Sequence, residues 1–81
     1  MTVRLELRLP DLDLPGVSVS ACSWHASLGQ RVVEGDRLLE IVAGDVSVDL
    51  SSPGTGVLVE RCVAIDQPLE IGQLLARIQA E

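Results

Sequence analysis

The stretch Arg31-Val32-Val33-Glu34-Gly35-Asp36-Arg37-Leu38-Leu39-Glu40-Ile41 decides the fold, because the chain says it twice. Pro68-Leu69-Glu70-Ile71-Gly72-Gln73-Leu74-Leu75-Ala76-Arg77-Ile78 repeats its pattern 37 residues later. Both copies read aliphatic, two residues, Gly, two residues, Leu, two residues, Ile, and Gln30 coincides with Gln67. Glycine can enter a tight turn at positive φ without strain, so each copy predicts a turn followed by a strand with buried aliphatics. Two copies predict two similar halves about a pseudo-twofold axis, with Val32/Leu69, Leu38/Leu75 and Ile41/Ile78 in equivalent places. A solenoid needs at least three repeats and is excluded. The repeat also settles residues 69–80. Leu69, Leu74, Leu75 and Ile78 roughly suit a helical period, but their superposition on the first copy predicts a strand.

Outward from the repeat, apolar and polar residues alternate. Val3-Arg4-Leu5-Glu6-Leu7-Arg8-Leu9 has a strict period of two, the mark of a strand with one buried face. Further strands are expected over 17–24, 37–42, 46–50, 56–63 and 73–79. Turn residues separate them: Pro10-Asp11, Pro15-Gly16, Gly29-Gln30, Glu34-Gly35-Asp36, Gly44-Asp45, Pro53-Gly54 and Gly72. Many short strands at close spacing predict an all-β sandwich or barrel, and residues 1–81 suffice for one domain.

Composition narrows the function. Val, Leu and Ile supply 28 of the 81 residues, which excludes a disordered chain. There is no Phe, no Tyr and one Trp, so no aromatic platform for nucleic acid can be built. A net charge of −6 argues against a phosphate-binding surface. No apolar run approaches the roughly 18–20 residues that span a membrane. The charged, alternating N-terminus is not a signal peptide, and a cytoplasmic location is expected. Cys22 and Cys62 could pair, but so aliphatic a domain needs no staple, and free thiols are expected. With one His and no CxxC, no zinc site is expected.

With these residues in view, the chain resembles the biotinyl/lipoyl carrier domain, most closely the lipoyl domains of dihydrolipoyl acyltransferases. Leu9-Pro10-Asp11-Leu12 resembles the exit of the family's first strand. Trp24-His25-Ala26-Ser27-Leu28-Gly29-Gln30-Arg31-Val32 is similar to W-x-V-x-x-G-D-x-V. Gly35-Asp36-Arg37-Leu38-Leu39-Glu40-Ile41 is similar to G-D-x-L-x-E-hydrophobic, and Ser52-Pro53-Gly54-Thr55-Gly56 to S-P-x-x-G. The resemblance implies a flattened barrel or sandwich of two four-stranded antiparallel sheets. It also implies that the chain ends and an exposed hairpin lie at opposite ends.

In that family the hairpin carries a lysine acylated by lipoate or biotin, within D-K-A or M-K-M. Here the tip reads Gly44-Asp45-Val46. Counting forward from Gly35 and back from Pro53 and Gly56 both assign the lysine position to Asp45. The chain has six Arg and no Lys to substitute for it. Amide formation requires a nucleophilic amine, which aspartate lacks, so neither lipoate nor biotin is expected to be attached.

Other residues have plainer readings. Gly44-Asp45 makes a good two-residue hairpin turn whether or not Asp45 also meets a partner. Trp24 is expected to pack near a core edge, and His25 to lie at the surface. Asp36, beside Glu34, is explained by turn hydrogen bonding. Pro53-Gly54-Thr55-Gly56 lacks the Lys and helix of a phosphate loop. No catalytic residue, cofactor-binding residue or metal ligand is identified, and the chain is not expected to be an enzyme.

The leading expectation is a non-catalytic, lipoyl-domain-like module that docks on a protein, such as a 2-oxoacid dehydrogenase or carboxylase component. The first alternative is a carrier component of such an acyltransferase or carboxylase system, its prosthetic group supplied elsewhere. The second is the lipoyl-like part of a membrane-fusion adaptor, weakened because both halves are contiguous. No nucleic acid or membrane is expected as a partner.

Overall fold

A computed structural model describes residues 2–81. It contains eight strands: β1 Arg4–Arg8, β2 Val19–Trp24, β3 Arg31–Val32, β4 Arg37–Ala43, β5 Val46–Ser51, β6 Gly56–Arg61, β7 Pro68–Leu69 and β8 Leu74–Ala80. There is no helix among the described residues. One antiparallel sheet has the order β1-β8-β6-β3 and the other β5-β4-β2-β7. The all-β expectation holds, and residues 69–80 form no helix: Leu69 ends β7, residues 70–73 turn, and Leu74–Ala80 is β8. Alternation and the repeat together revealed six of the eight strands. β3 and β7 have two residues each, too few to show a period.

The twofold extends to individual hydrogen bonds. A shift of 37 residues carries β2 onto β6, β3 onto β7 and β4 onto β8 with the same ends. Ala21 pairs with Ile41, and its equivalent Leu58 pairs with Ile78. Gln30 accepts a bond from the Ser27 amide at 3.0 Å, and Gln67 accepts one from the Ala64 amide at 3.0 Å. The Asp36 carboxylate accepts from the Val33 amide, and Gln73 from the Glu70 amide, both at 2.9 Å. Gly35 and Gly72 open these turns at φ +91° and +84°, where a Cβ would be strained.

Strict alternation would turn one residue of Leu38-Leu39 and one of Leu75-Ala76 out to solvent. Register shifts at Leu38 and Leu75 prevent this, since each inserts one extra residue opposite its neighbouring strand. Leu38, Leu39, Leu75 and Ala76 are therefore all buried, together with Ile41, Ile78, Val32, Leu58 and Leu69. Full burial of one such aliphatic side chain contributes about 1.5–3 kcal/mol.

The symmetry breaks in one loop. Residues 52–55 join β5 to β6, whereas residues 9–18 join β1 to β2. The longer loop lies by the β4–β5 turn, where the Gly44 amide donates to the Ser18 carbonyl at 3.2 Å. At the other end of β4, the Glu34 amide donates to Thr55 Oγ1, and the Thr55 carbonyl accepts from the Glu81 amide. The hairpin and the chain's last residue therefore lie at opposite ends of β4.

Candidate functional site at the hairpin tip

β4 and β5 are joined by Gly44 and Asp45 alone, with Ala43 opposite Val46. Gly44 has φ +61°, while Asp45 is not among the residues at positive φ. This sign pattern, with glycine first, is that of a type II′ turn, whose twist suits the flanking strands. Gly44, Asp45 and Val46 are all exposed, Val46 by 51%. Among the described residues, no side-chain hydrogen bond or ion pair involves Asp45. The turn is braced from one side, since a side chain at Gly44 would meet Val17 Cγ1 at 3.1 Å.

The tip can offer a carboxylate and an isopropyl group to a partner. It carries no amine, and no lysine occurs elsewhere in the sequence. The residues present do not fit an amide-linked prosthetic group.

The other singled-out residues are spread over the molecule. Trp24 is half-buried against the core, its Nε1 donating to the Val63 carbonyl at 3.2 Å, and Arg61 lies 5.6 Å above its ring. His25 is exposed, as expected, with Nε2 3.0 Å from Asp49 Oδ1. Arg37 approaches the same carboxylate at 3.5 Å. The hydrogen bond from His25, with Arg37 nearby, holds Asp49 below the usual carboxylate range. Sequence reasoning missed this cluster. The Gly44-Asp45 turn could have placed Asp49 opposite Glu40, but not beside His25.

The glycines of residues 53–56 serve packing. A Cβ at Gly54 would collide with the Leu5 side chain, and one at Gly56 with the Gln79 carbonyl. Cys22 and Cys62 are free and half-buried. No group of three or more His, Cys, Asp or Glu side chains is placed to hold a metal among the described residues.

The family model described as "Biotin-requiring enzyme" matches residues 6–78. The chain belongs to the biotinyl/lipoyl domain family. One curated relative of this biotinyl/lipoyl domain is the dihydrolipoyllysine-residue succinyltransferase component of the 2-oxoglutarate dehydrogenase complex of Bartonella vinsonii subsp. berkhoffii. It is 28% identical over 75 residues, covering 93% of this chain and 18% of the relative. Another is the dihydrolipoyllysine-residue acetyltransferase component of the pyruvate dehydrogenase complex of Corynebacterium glutamicum. It is 26% identical over 73 residues, covering 90% of this chain and 11% of the relative. The domain thus spans less than a fifth of either relative's length. A solved single-chain, multi-domain long-chain acyl-CoA carboxylase shares the fold, with a TM-score of 0.80 at 18% identity. That match covers 96% of this chain and 7% of the carboxylase.

Proposed function

We propose that this biotinyl/lipoyl domain works without a covalent arm, as a non-catalytic module that docks its hairpin end on a protein partner. The observation that carries the reading is Asp45. It occupies the exposed turn, at the position that both spacing counts assign to the family's lysine, in a chain with no Lys. The fold that would present the turn is kept whole around it, which supports a use for the surface itself. The relatives are named as components of multienzyme complexes, which supports a 2-oxoacid dehydrogenase or carboxylase component as the partner. A cytoplasmic setting goes with this reading.

Intact mass after co-expression with lipoate and biotin ligases tests it. The mass should equal that of the polypeptide, and a gain matching either group overturns the reading. Asp45→Lys restores the amine on an exposed turn and should allow partial lipoylation. If Gly44→Asp/Asp45→Lys/Val46→Ala folds yet stays unmodified, the surface has diverged beyond the turn, as a docking role would allow.

A second reading takes the domain as a carrier component whose prosthetic group sits on another chain. The acyltransferase names of the two curated relatives favour it. Co-purification with a lipoylated or biotinylated partner that depends on this domain for transfer would establish it.

A further inference from the structure

The 37-residue shift that carries β2 onto β6 also carries Trp24 onto Arg61 and Leu28 onto Ile65. Trp24 and Arg61 meet, the guanidinium 5.6 Å from the centre of the ring, so their contact straddles the pseudo-twofold axis. Leu28 and Ile65 stand in the two equivalent turns and remain 54% and 46% exposed. With Val63 and Ala64, these four side chains line a cleft of about 530 Å³. It lies away from the hairpin. On β2, Val19 faces Ala43 at the hairpin end, whereas Trp24 faces Leu39.

The charge inside the cleft is positive. Cys22 and Ser23 complete the lining, and no carboxylate belongs to it, in a chain whose net charge is −6. Arg8, Arg31, Arg37 and Arg77 are each paired with a carboxylate, but among the described residues no ion pair involves Arg61. The Trp24 ring takes one face of the guanidinium and leaves its N–H edge for a planar acceptor, which a carboxylate meets with two parallel bonds. Beyond the lining the sign reverses. Glu60 precedes Arg61, Asp66 follows Ile65, and Glu40 hydrogen-bonds Cys22. An occupant rich in acids is therefore repelled, and one carboxylate set among apolar groups is the complement.

We infer that this cleft is a docking site for the carboxyl end of a partner polypeptide whose last residue is aliphatic. Such a residue carries its free α-carboxylate and its side chain on one Cα. It can meet Arg61 and lie against Trp24, Leu28 and Ile65 at once. The inference goes beyond the hairpin reading above, and the two fail separately. Acylation of the intact chain defeats that reading and leaves binding in the cleft untouched.

Trp24 is the chain's one Trp, so its fluorescence reads the cleft directly. The test titrates the ¹⁵N-labelled 81-residue chain with N-acetyl-Ala-Val-Leu, its carboxyl end free, and with the same peptide amidated. The free acid should change Trp24 emission saturably, with amide shifts centred on Ser23, Leu28 and Ile65. The amidated peptide should bind about tenfold more weakly, the loss expected for one charge-assisted bidentate contact. Arg61→Gln changes an exposed side chain and should keep the thermal transition while erasing the preference for acid over amide. Leu28→Ser should weaken both peptides severalfold. N-acetyl-Glu-Glu-Leu should bind more weakly than N-acetyl-Ala-Val-Leu, since Glu60 and Asp66 border the cleft. The proposal is overturned by equal binding of acid and amide to the unaltered chain, by indifference to Arg61→Gln, by tighter binding of the acidic peptide, or by shifts centred on another face. Concentration-dependent shifts of the same residues without peptide would overturn it too, by showing that a second copy is the occupant.

Discussion

Trp24 lies at the rim of the core, held by the Val63 carbonyl on one side and covered by Arg61 on the other. Because the ring is half-buried, Trp24→Ala should cost about 2–3 kcal/mol, less than the ~3–5 kcal/mol of a fully enclosed aromatic. Urea denaturation measures it, and a cost under about 1 kcal/mol would mean the ring contributes little to packing. The two thiols have a different fate. A hydrogen bond with Glu40 pushes the Cys22 thiol up, and burial pushes Cys62 up. Both should stay protonated at neutral pH, so iodoacetamide should label the native chain more slowly than the urea-unfolded one. Labelling at equal rates would contradict the assignment. At this scale the sequence showed the Gly44-Asp45 turn plainly, since two-residue hairpins have a narrow chemistry. It concealed the His25–Asp49 contact, which is made across strands and depends on register shifts that no local pattern reveals.

Gly56 opens β6 where the backbone of β8 comes close. Gly56→Ala would drive a methyl group into the Gln79 carbonyl and part the two strands at their first pair. A loss of about 2–4 kcal/mol is expected, measured by chemical denaturation. Gly29 offers the contrast, because its symmetry mate Asp66 already stands at φ +69° and nothing crowds the position. Gly29→Asn should therefore cost less than Gly56→Ala, and the reverse order would refute the packing argument. Elements were legible in proportion to their length. β1 alternates clearly and β8 was readable only through the repeat, while β3 and β7 are too short to show a period. The aligned repeats nevertheless placed Val32 and Leu69 in equivalent buried positions. The cleft at Trp24 and Arg61 was not legible, since Leu28 and Ile65 stand in turns and follow no strand or helix period.

Across the whole molecule, ion pairs set the response to acid. Hydrogen bonds from His25 to Asp49, Arg77 to Glu60 and Arg31 to Glu81 hold the three carboxylates below their ordinary values. Their stabilisation is complete above the unfolded carboxylate pKa of about 4 and is lost as pH falls through the folded values. The melting temperature should thus hold from pH 7 to pH 5 and fall toward pH 3, and Glu60→Gln should flatten the decline. Each pair is exposed, so the individual effects are small and diminish in salt. The symmetry makes a further prediction. The β4–β5 turn and the meeting of β8 with β1 are equivalent places, the Ala80 amide bonding the Val3 carbonyl as Ala43 faces Val46. A permutant opened between Gly44 and Asp45, with its old ends joined by a Gly-Ser linker, should keep a cooperative thermal transition. Failure to fold would mean the tight turn directs folding beyond what symmetry requires. The opposed placement of turn and chain end has a mechanical consequence. A tether fused at Glu81 grips the molecule like a handle, with β4's seven residues holding Asp45 roughly 20 Å beyond the grip. Rotation at the handle moves Asp45 along an arc while its setting stays rigid, so the tip could sweep past a neighbour without the help of a flexible arm.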